Sequence, residues 1–258
     1  MEAKKQINKY GLLNALISIV NANDEDESKV IMAKYFLRNF DRLHEINIFD
    51  AAEECFVTRA SIRRFSKSIG FDNFRDLKSD VEEYKYYHVF TDESDYPNYL
   101  MNQTTKMMDD CNLCLKKQLD NILKYIQECN QIVFLVSDIY SAECMEFQKG
   151  MILAGKMVRV VSHKFTDNKL LDSLNENDLL IIISISGGFA ARINEFVESF
   201  KCKKTFLTAV NKKEFNDKYD LVLNISSEEL PQTKTVYHMF AIEYCLDIIY
   251  NEYRRRNK

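Results

Sequence analysis

Tryptophan is absent from the 258-residue chain, and proline and glycine are scarce, at 2 and 6 residues. So few chain breakers exclude a collagenous or low-complexity polypeptide, and 46% hydrophobic with 29% charged residues excludes a disordered one. Helix is therefore expected to dominate. An excess of positive charge is missing too: the formal net charge of -4 excludes a uniformly basic nucleic-acid binder but permits a local basic face. No apolar run approaches the roughly 18–20 residues of a membrane span, the longest candidate being the strand-length Asp178–Ser186. The opening stretch carries Asn14 and Ser18 within a short apolar run and reads as no signal peptide. The 7 cysteines are odd in number and scattered, which favours reduced thiols, mostly small core residues, in a cytoplasmic protein.

Two different patterns divide the chain. Through about residue 80 the apolar residues recur at helical spacing, as in Ile31, Tyr35, Phe36 and Phe40, which predicts a small all-helical domain over residues 1–80. Pro97 and the polar cluster Thr91–Asp95 predict a linker over 81–101. Over 102–258, strand-length runs begin at Ile132, Val158, Leu179, Thr205 and Leu221 and alternate with helical segments at about 141–155, 190–201 and 236–253. Such alternation predicts an α/β domain with a parallel sheet covered by helices on both faces. The fold class is thus α plus α/β.

Within the first domain, Ile48–Gly70 predicts two short helices. Thr58 is placed to cap the second and Gly70 to close it. On a helix from Arg59 to Ile69, Ile62, Phe65 and Ile69 form one apolar stripe, while Ala60, Arg63, Arg64 and Lys67 face away from it. Between Thr58 and Lys78 six basic residues stand against two acidic ones, a local excess of +4 hidden in the acidic average. Thr58, Arg59, Ala60, Ser61, Arg63, Arg64 and Lys67 are therefore the candidate DNA-binding residues, with a solvated helix face as the alternative. This stretch resembles the N-terminal domain of the RpiR/MurR family of bacterial transcription regulators, through Ala33–Asn39 and through VTRASIRRFSKSIGFDNFRDLK. A departure is Phe56, where that family's turn often has glycine; a bulky residue at positive φ is strained, so the turn is expected to be built differently or Phe56 to pack under the domain.

In the second domain, Asp178–Ile193 reads as a buried strand running through Ser184, Ser186, Gly187 and Gly188 into a helix. Hydroxyls and backbone N–H groups at a helix N-terminus, beyond the carboxyl end of a parallel strand, suit an anion. A tight glycine turn without ligand is the alternative. The region Asn102–Tyr253 resembles a sugar isomerase (SIS) domain, the module that follows the helix-turn-helix in RpiR-type regulators. That resemblance implies a phosphosugar site at Ser184, Ser186, Gly187 and Gly188, with Ser137 and Ser141 from the loop after the first strand. Phe189 stands where the family has threonine, the glycines of the first loop are missing, and Asp138 adds a negative charge that weakens phosphate binding.

Other motifs carry less. Gly150 to Lys156 has P-loop spacing, but Met157 replaces the Mg²⁺-binding hydroxyl and the insert reads as a helix end. Cys111 and Cys114 lack a second pair at zinc spacing, and His44, His88, His163 and His238 are scattered. The tail Arg254–Lys258 reads as a solvated helix end or a contact for DNA or an acidic partner. No catalytic residue, metal or cofactor is nominated. The resemblance implies a regulator that binds operator DNA, senses a sugar phosphate and forms a homodimer or homotetramer, with Phe240, Tyr244 and Ile248 of the last helix in the contact and no membrane partner. The alternatives are a phosphosugar isomerase with a helical N-terminal domain and a regulator whose SIS domain only dimerises.

Overall fold

The computed structural model describes residues 12–22, 27–78, 94–137, 140–162, 171–211, 213–230 and 234–257. The chain forms two compact units, Met1–His88 and Val89–Lys258.

The first unit is all helical: α1 (Leu12–Ala22), α2 (Ser28–Arg38), a 3₁₀ segment (Phe40–Glu45), α3 (Ile48–Glu54), α4 (Arg59–Ser68) and α5 (Phe74–Lys78). Its core centres on Phe36, fully buried, whose ring lies 5.8 Å from Phe65 of α4 and 5.9 Å from Phe74 of α5. Leu12 and Leu16 of α1, Leu43 and Ile62 complete it. The elements are held by apolar contact between short helices, as expected where no single helix is long enough to be stable alone.

The second unit begins with α6 (Tyr96–Lys116), inside the segment expected to be linker. Asp95 caps it by accepting from the Asn98 N–H at 3.3 Å, and Pro97 sits in the first turn. Proline there loses no helical hydrogen bond and has φ preset, so it starts this helix instead of breaking it. After α7 (Leu119–Glu128) come β1 (Gln131–Val136), α8 (Ser141–Leu153), β2 (Met157–Ser162), β3 (Leu179–Ile183), α9 (Gly188–Glu198), β4 (Lys203–Thr208), α10 (Lys213–Asn216) and β5 (Leu221–Asn224). A π-helical turn (Tyr237–Ala241) leads into α11 (Ile242–Arg256). The five strands are all parallel, in the order β2-β1-β3-β4-β5. Alternate β1 residues Ile132, Phe134 and Val136 join a core with α6, α7, α8 and α11, while Val133 and Leu135 are buried on the other side. Burial on both faces is why these strands read as unbroken apolar runs.

The last helix corrects an expectation. Phe240, Tyr244 and Ile248 are half-buried against this domain's own core, and the Tyr244 hydroxyl donates to Asn112 Oδ1 of α6 at 3.0 Å. The stripe is covered within the chain because α6, read partly as linker, packs there. Asp110 of α6 accepts from the Tyr237 hydroxyl at 2.6 Å and the Ser227 N–H at 3.0 Å, fastening the π turn. Burial pushes the Asp110 carboxyl up, but the hydrogen bonds from Ser227, Tyr237 and Ser226 outweigh it and hold the group below the usual carboxylate range. Six of the seven cysteines are buried, Cys114 being intermediate, and all are free thiols. The P-loop spacing dissolves as expected: Gly150 lies within α8 against the Tyr250 ring, and Lys156 Nζ donates to the Cys129 carbonyl at 2.7 Å. Among the described residues no helix is long and apolar enough to cross a membrane, and no cluster of His, Cys, Asp and Glu could hold a metal.

Candidate DNA-binding helix and anion-binding turn

Thr58 caps α4 as its sequence position predicts: its Oγ1 accepts from the Ser61 N–H at 3.1 Å. Such a cap contributes about 0.5–2 kcal/mol to helix stability. At the other end Gly70 adopts φ 96° and closes a Schellman motif, in which the Phe71 N–H reaches the Ser66 carbonyl at 3.0 Å. Ile62 and Phe65 are buried, as is Ser66, whose hydroxyl bonds the Ile62 carbonyl at 3.0 Å, and Ile69 is half-buried. With that face anchored, Thr58, Arg59, Ala60, Arg63, Arg64 and Lys67 are exposed, and Ser61 is intermediate. All seven predicted residues are brought together on one capped helix. Arg64 Nη2 donates to Ser61 Oγ at 3.3 Å, and the Arg59 guanidinium lies 4.7 Å from the centre of the exposed Phe49 ring of α3. A cation over an aromatic face at an exposed site gains about 0.5–1 kcal/mol, enough to favour one orientation.

Phe56, in the turn between α3 and α4, resolves the question its sequence raised. It takes φ 53° and is 94% exposed, so the turn keeps the left-handed geometry and the side chain does not pack under the domain. A residue with a Cβ in this conformation costs about 1–2 kcal/mol.

In the second unit the two predicted loops meet. Val136 and Ile183 are register partners at the carboxyl ends of β1 and β3, which places Ser137 beside Ser184. The chain leaves β1 toward β2 on one side and β3 toward β4 on the other, so the crevice is the topological switch point of the sheet, where open α/β folds bind ligands. Gly187 caps α9 at φ 75°, and a Cβ there would stand 3.0 Å from Val210 Cγ2 and 3.3 Å from the Phe215 ring. Glycine is therefore required both by conformation and by space. Ser186 is exposed, Gly188 starts α9, and Ser137 and Ser141 are half-buried. Ser184 is 3% exposed, and its Oγ accepts from the Phe189 N–H at 3.1 Å, making it a clamp on the turn. Phe189 itself is buried at 8% exposure: the residue standing in place of threonine is a core side chain. Asp138 and Ile139 lie outside the described residues, as do His88 and His163.

Sequence reading missed Thr208 at the end of β4. Its buried hydroxyl donates to the Ser184 carbonyl at 2.8 Å and accepts from the Val210 N–H at 3.1 Å, locking the turn to the neighbouring strand. The only signal was a hydroxyl residue closing an apolar strand. The turn offers backbone N–H groups at a helix N-terminus, and Ser186 as its exposed side chain, an arrangement suited to holding an anion without titratable chemistry. Cavities of about 400 Å³, beside Asp120, Tyr253 and Arg256, and about 220 Å³, beside Tyr96, Lys106 and Tyr237, lie away from it.

A capped basic helix in a helix-turn-helix, followed by an open parallel sheet with a glycine turn at its switch point, defines a two-domain protein of helix-turn-helix plus SIS organisation. Residues 11–86 match the helix-turn-helix domain of the rpiR family, and the N-terminal domain belongs to that family. Over 182 residues the chain is 26% identical to the HTH-type transcriptional regulator GlvR of Bacillus subtilis (strain 168), covering 68% of this chain and 66% of that protein's length. The structure of phosphoheptose isomerase GmhA from Neisseria gonorrhoeae aligns with TM-score 0.51 and 11% identity, over 62% of this chain and 97% of that one. E. coli CFT073 c3406, in complex with a sugar-phosphate ligand, aligns with TM-score 0.50 and 14% identity, over 65% and 94%. These two likenesses establish the fold of the C-terminal domain.

Proposed function

We propose that the protein is a cytoplasmic transcriptional regulator of carbohydrate or amino-sugar metabolism. It binds operator DNA through α4 and senses a sugar phosphate or related metabolite at the turn Ser184–Gly188 with Ser137 and Ser141. The observation that carries the reading is the exposed basic face of α4 above a fully anchored apolar face. Such a helix lies in a major groove with its N-terminal residues at base edges, while its remaining cations meet phosphates. Similarity to GlvR, described as a transcriptional regulator, supports the DNA half, and the sugar-phosphate complex of c3406 supports the ligand half. No reaction is needed: a ligand that binds one arrangement of paired chains better than another shifts operator affinity by that difference. A homodimer or homotetramer supplies the pairing. The isomerase alternative requires a positioned general base, and no described residue around the turn offers a side-chain carboxylate or imidazole in that role.

Selection of duplexes from a random-sequence library by the full-length chain tests this reading. A pseudo-palindromic site, with half-sites about one helical turn apart or a multiple of it, is expected. Titration of that complex with a panel of hexose and amino-sugar phosphates is expected to shift the affinity. Failure to enrich any duplex would remove α4 from this role.

A further inference from the structure

The same chain reversal closes three helices of this protein. After α4 the Gly70 N–H reaches the Lys67 carbonyl at 3.2 Å and the Phe71 N–H the Ser66 carbonyl at 3.0 Å. After α8 the Gly155 N–H reaches the Ile152 carbonyl and the Lys156 N–H the Met151 carbonyl, both at 2.9 Å. After α3 the Phe56 N–H reaches the Glu53 carbonyl at 3.0 Å and the Val57 N–H the Ala52 carbonyl at 2.9 Å. The left-handed position is glycine in the first two, at φ 96° and 80°, and phenylalanine in the third, at φ 53°. Among the described residues Phe56 alone combines positive φ with a side chain. Glycine fills this position without steric penalty.

Folding does not account for the exception. At 94% exposure the Phe56 ring gains almost nothing from burial and bears the strain of its backbone. Its surroundings do suggest a use. Phe56 stands two residues before Thr58, the cap of α4, so it adjoins the end of the helix that enters the groove, where Arg59, Ala60 and Arg63 are exposed. Phe49, 62% exposed beneath the Arg59 guanidinium, is a second aromatic at the same end. A surface of exposed rings set among Arg59, Arg63, Arg64 and Lys67 matches a partner that is polyanionic yet carries apolar edges. An apolar protein face would have to strip those cations of water.

We propose that Phe56 is a DNA-contacting residue whose ring packs on the thymine-methyl and deoxyribose edge of the duplex beside the bases met by α4. The proposal rests on the DNA-binding reading of α4 and adds an apolar contact to its charged ones. Bases are read by apolar contact as well as by hydrogen bonds, and the thymine methyl is the apolar group exposed in the major groove. Because such a contact releases no counterion, it should raise affinity without changing the salt dependence.

The test uses the full-length chain and the duplex selected by the wild type. Phe56→Gly is expected to raise the melting temperature of the N-terminal domain, to weaken binding at least tenfold, and to leave the slope of log K against log salt unchanged. Phe56→Tyr is expected to restore most of the affinity. Replacing thymine by uracil across the duplex separates the methyl from the sugar: if it reproduces the loss, the methyl is the contact; if it does not, while Phe56→Gly still loses affinity, the deoxyribose is. Binding by Phe56→Gly within twofold of the wild type would overturn the proposal, and so would a fall in its melting temperature or a shallower salt slope. If Arg63→Ala loses binding while Phe56→Gly keeps it, the DNA reading stands and this proposal fails. A wild type that enriches no duplex ends both.

Discussion

The α4 face and the Ser184–Gly188 turn both suit phosphate, yet they are built in opposite ways. On α4 the polar groups are long exposed side chains, four of them cationic, and the buried groups beneath are apolar. At the turn the supporting hydroxyls of Ser184 and Thr208 are buried and engaged with backbone, and Gly187 must lack a side chain. A polyanion is met with mobile charge and can be met in many registers; a small anion needs fixed donors in one place. Side-chain truncation should therefore disarm the helix without unfolding it, whereas the turn yields only to changes that disturb its backbone.

The largest effect should come from removing what the helix stands on. Ile62→Ala deletes a fully buried side chain and is expected to cost about 2–5 kcal/mol of N-terminal stability, with DNA binding lost as well. Thermal melts read by domain, with the C-terminal transition unmoved, check it.

Acid should separate the domains in the other direction. Burial, with Lys234 nearby, pulls the His238 imidazole down to about 4 from 6.5. The folded state thus holds this ring neutral while the unfolded chain protonates it. Its contribution is complete above pH 6.5 and is lost as pH falls toward 4, a change of up to about 3 kcal/mol. C-terminal melting should fall across that window, and His238→Gln should flatten the dependence.

Arg63→Ala should leave both melting transitions in place and weaken binding to the selected duplex by about 1–3 kcal/mol, relaxing base preference at one position. Lys67→Ala should weaken all sequences alike and lower the salt slope by about one. Gel-shift titrations at several salt concentrations distinguish the two.

The smallest effect is expected at the turn. Gly187→Ala places a Cβ 3.0 Å from Val210 Cγ2 at φ 75°, at about 1–2 kcal/mol of C-terminal stability. Calorimetry with the panel of sugar phosphates should show the affinity gone while the DNA affinity of the ligand-free chain is retained. Unchanged ligand binding would break the contrast between fixed and mobile donors.

Much of this was legible before any coordinates. The Thr58 cap, the Ile62 and Phe65 stripe, the exposed cations and the five strand runs follow from local chemistry, because spacing alone decides which face a side chain takes. What escaped was set by distant parts of the chain. Pro97 reads as a break or as a helix start depending on Asp95 before it. Phe189 reads as a lost hydroxyl until its ring is seen buried. Phe240, Tyr244 and Ile248 read as unpartnered until α6 covers them. Phe56 shows the reverse case: the sequence marks the strain and tertiary structure offers no burial in return.

The all-parallel sheet also sets a timetable. Every pairing in it joins strands separated by a crossover, and β1 must wait for β3, whose first partner residue lies 47 positions along the chain, before its second edge is paired. The helical domain closes through nearer neighbours and emerges first during synthesis. Local contacts form faster than distant ones, and domains fold as units from the N-terminus. A nascent chain therefore holds a finished α4 while its effector domain is still assembling, so the DNA-facing half exists for a time without the half proposed to govern it.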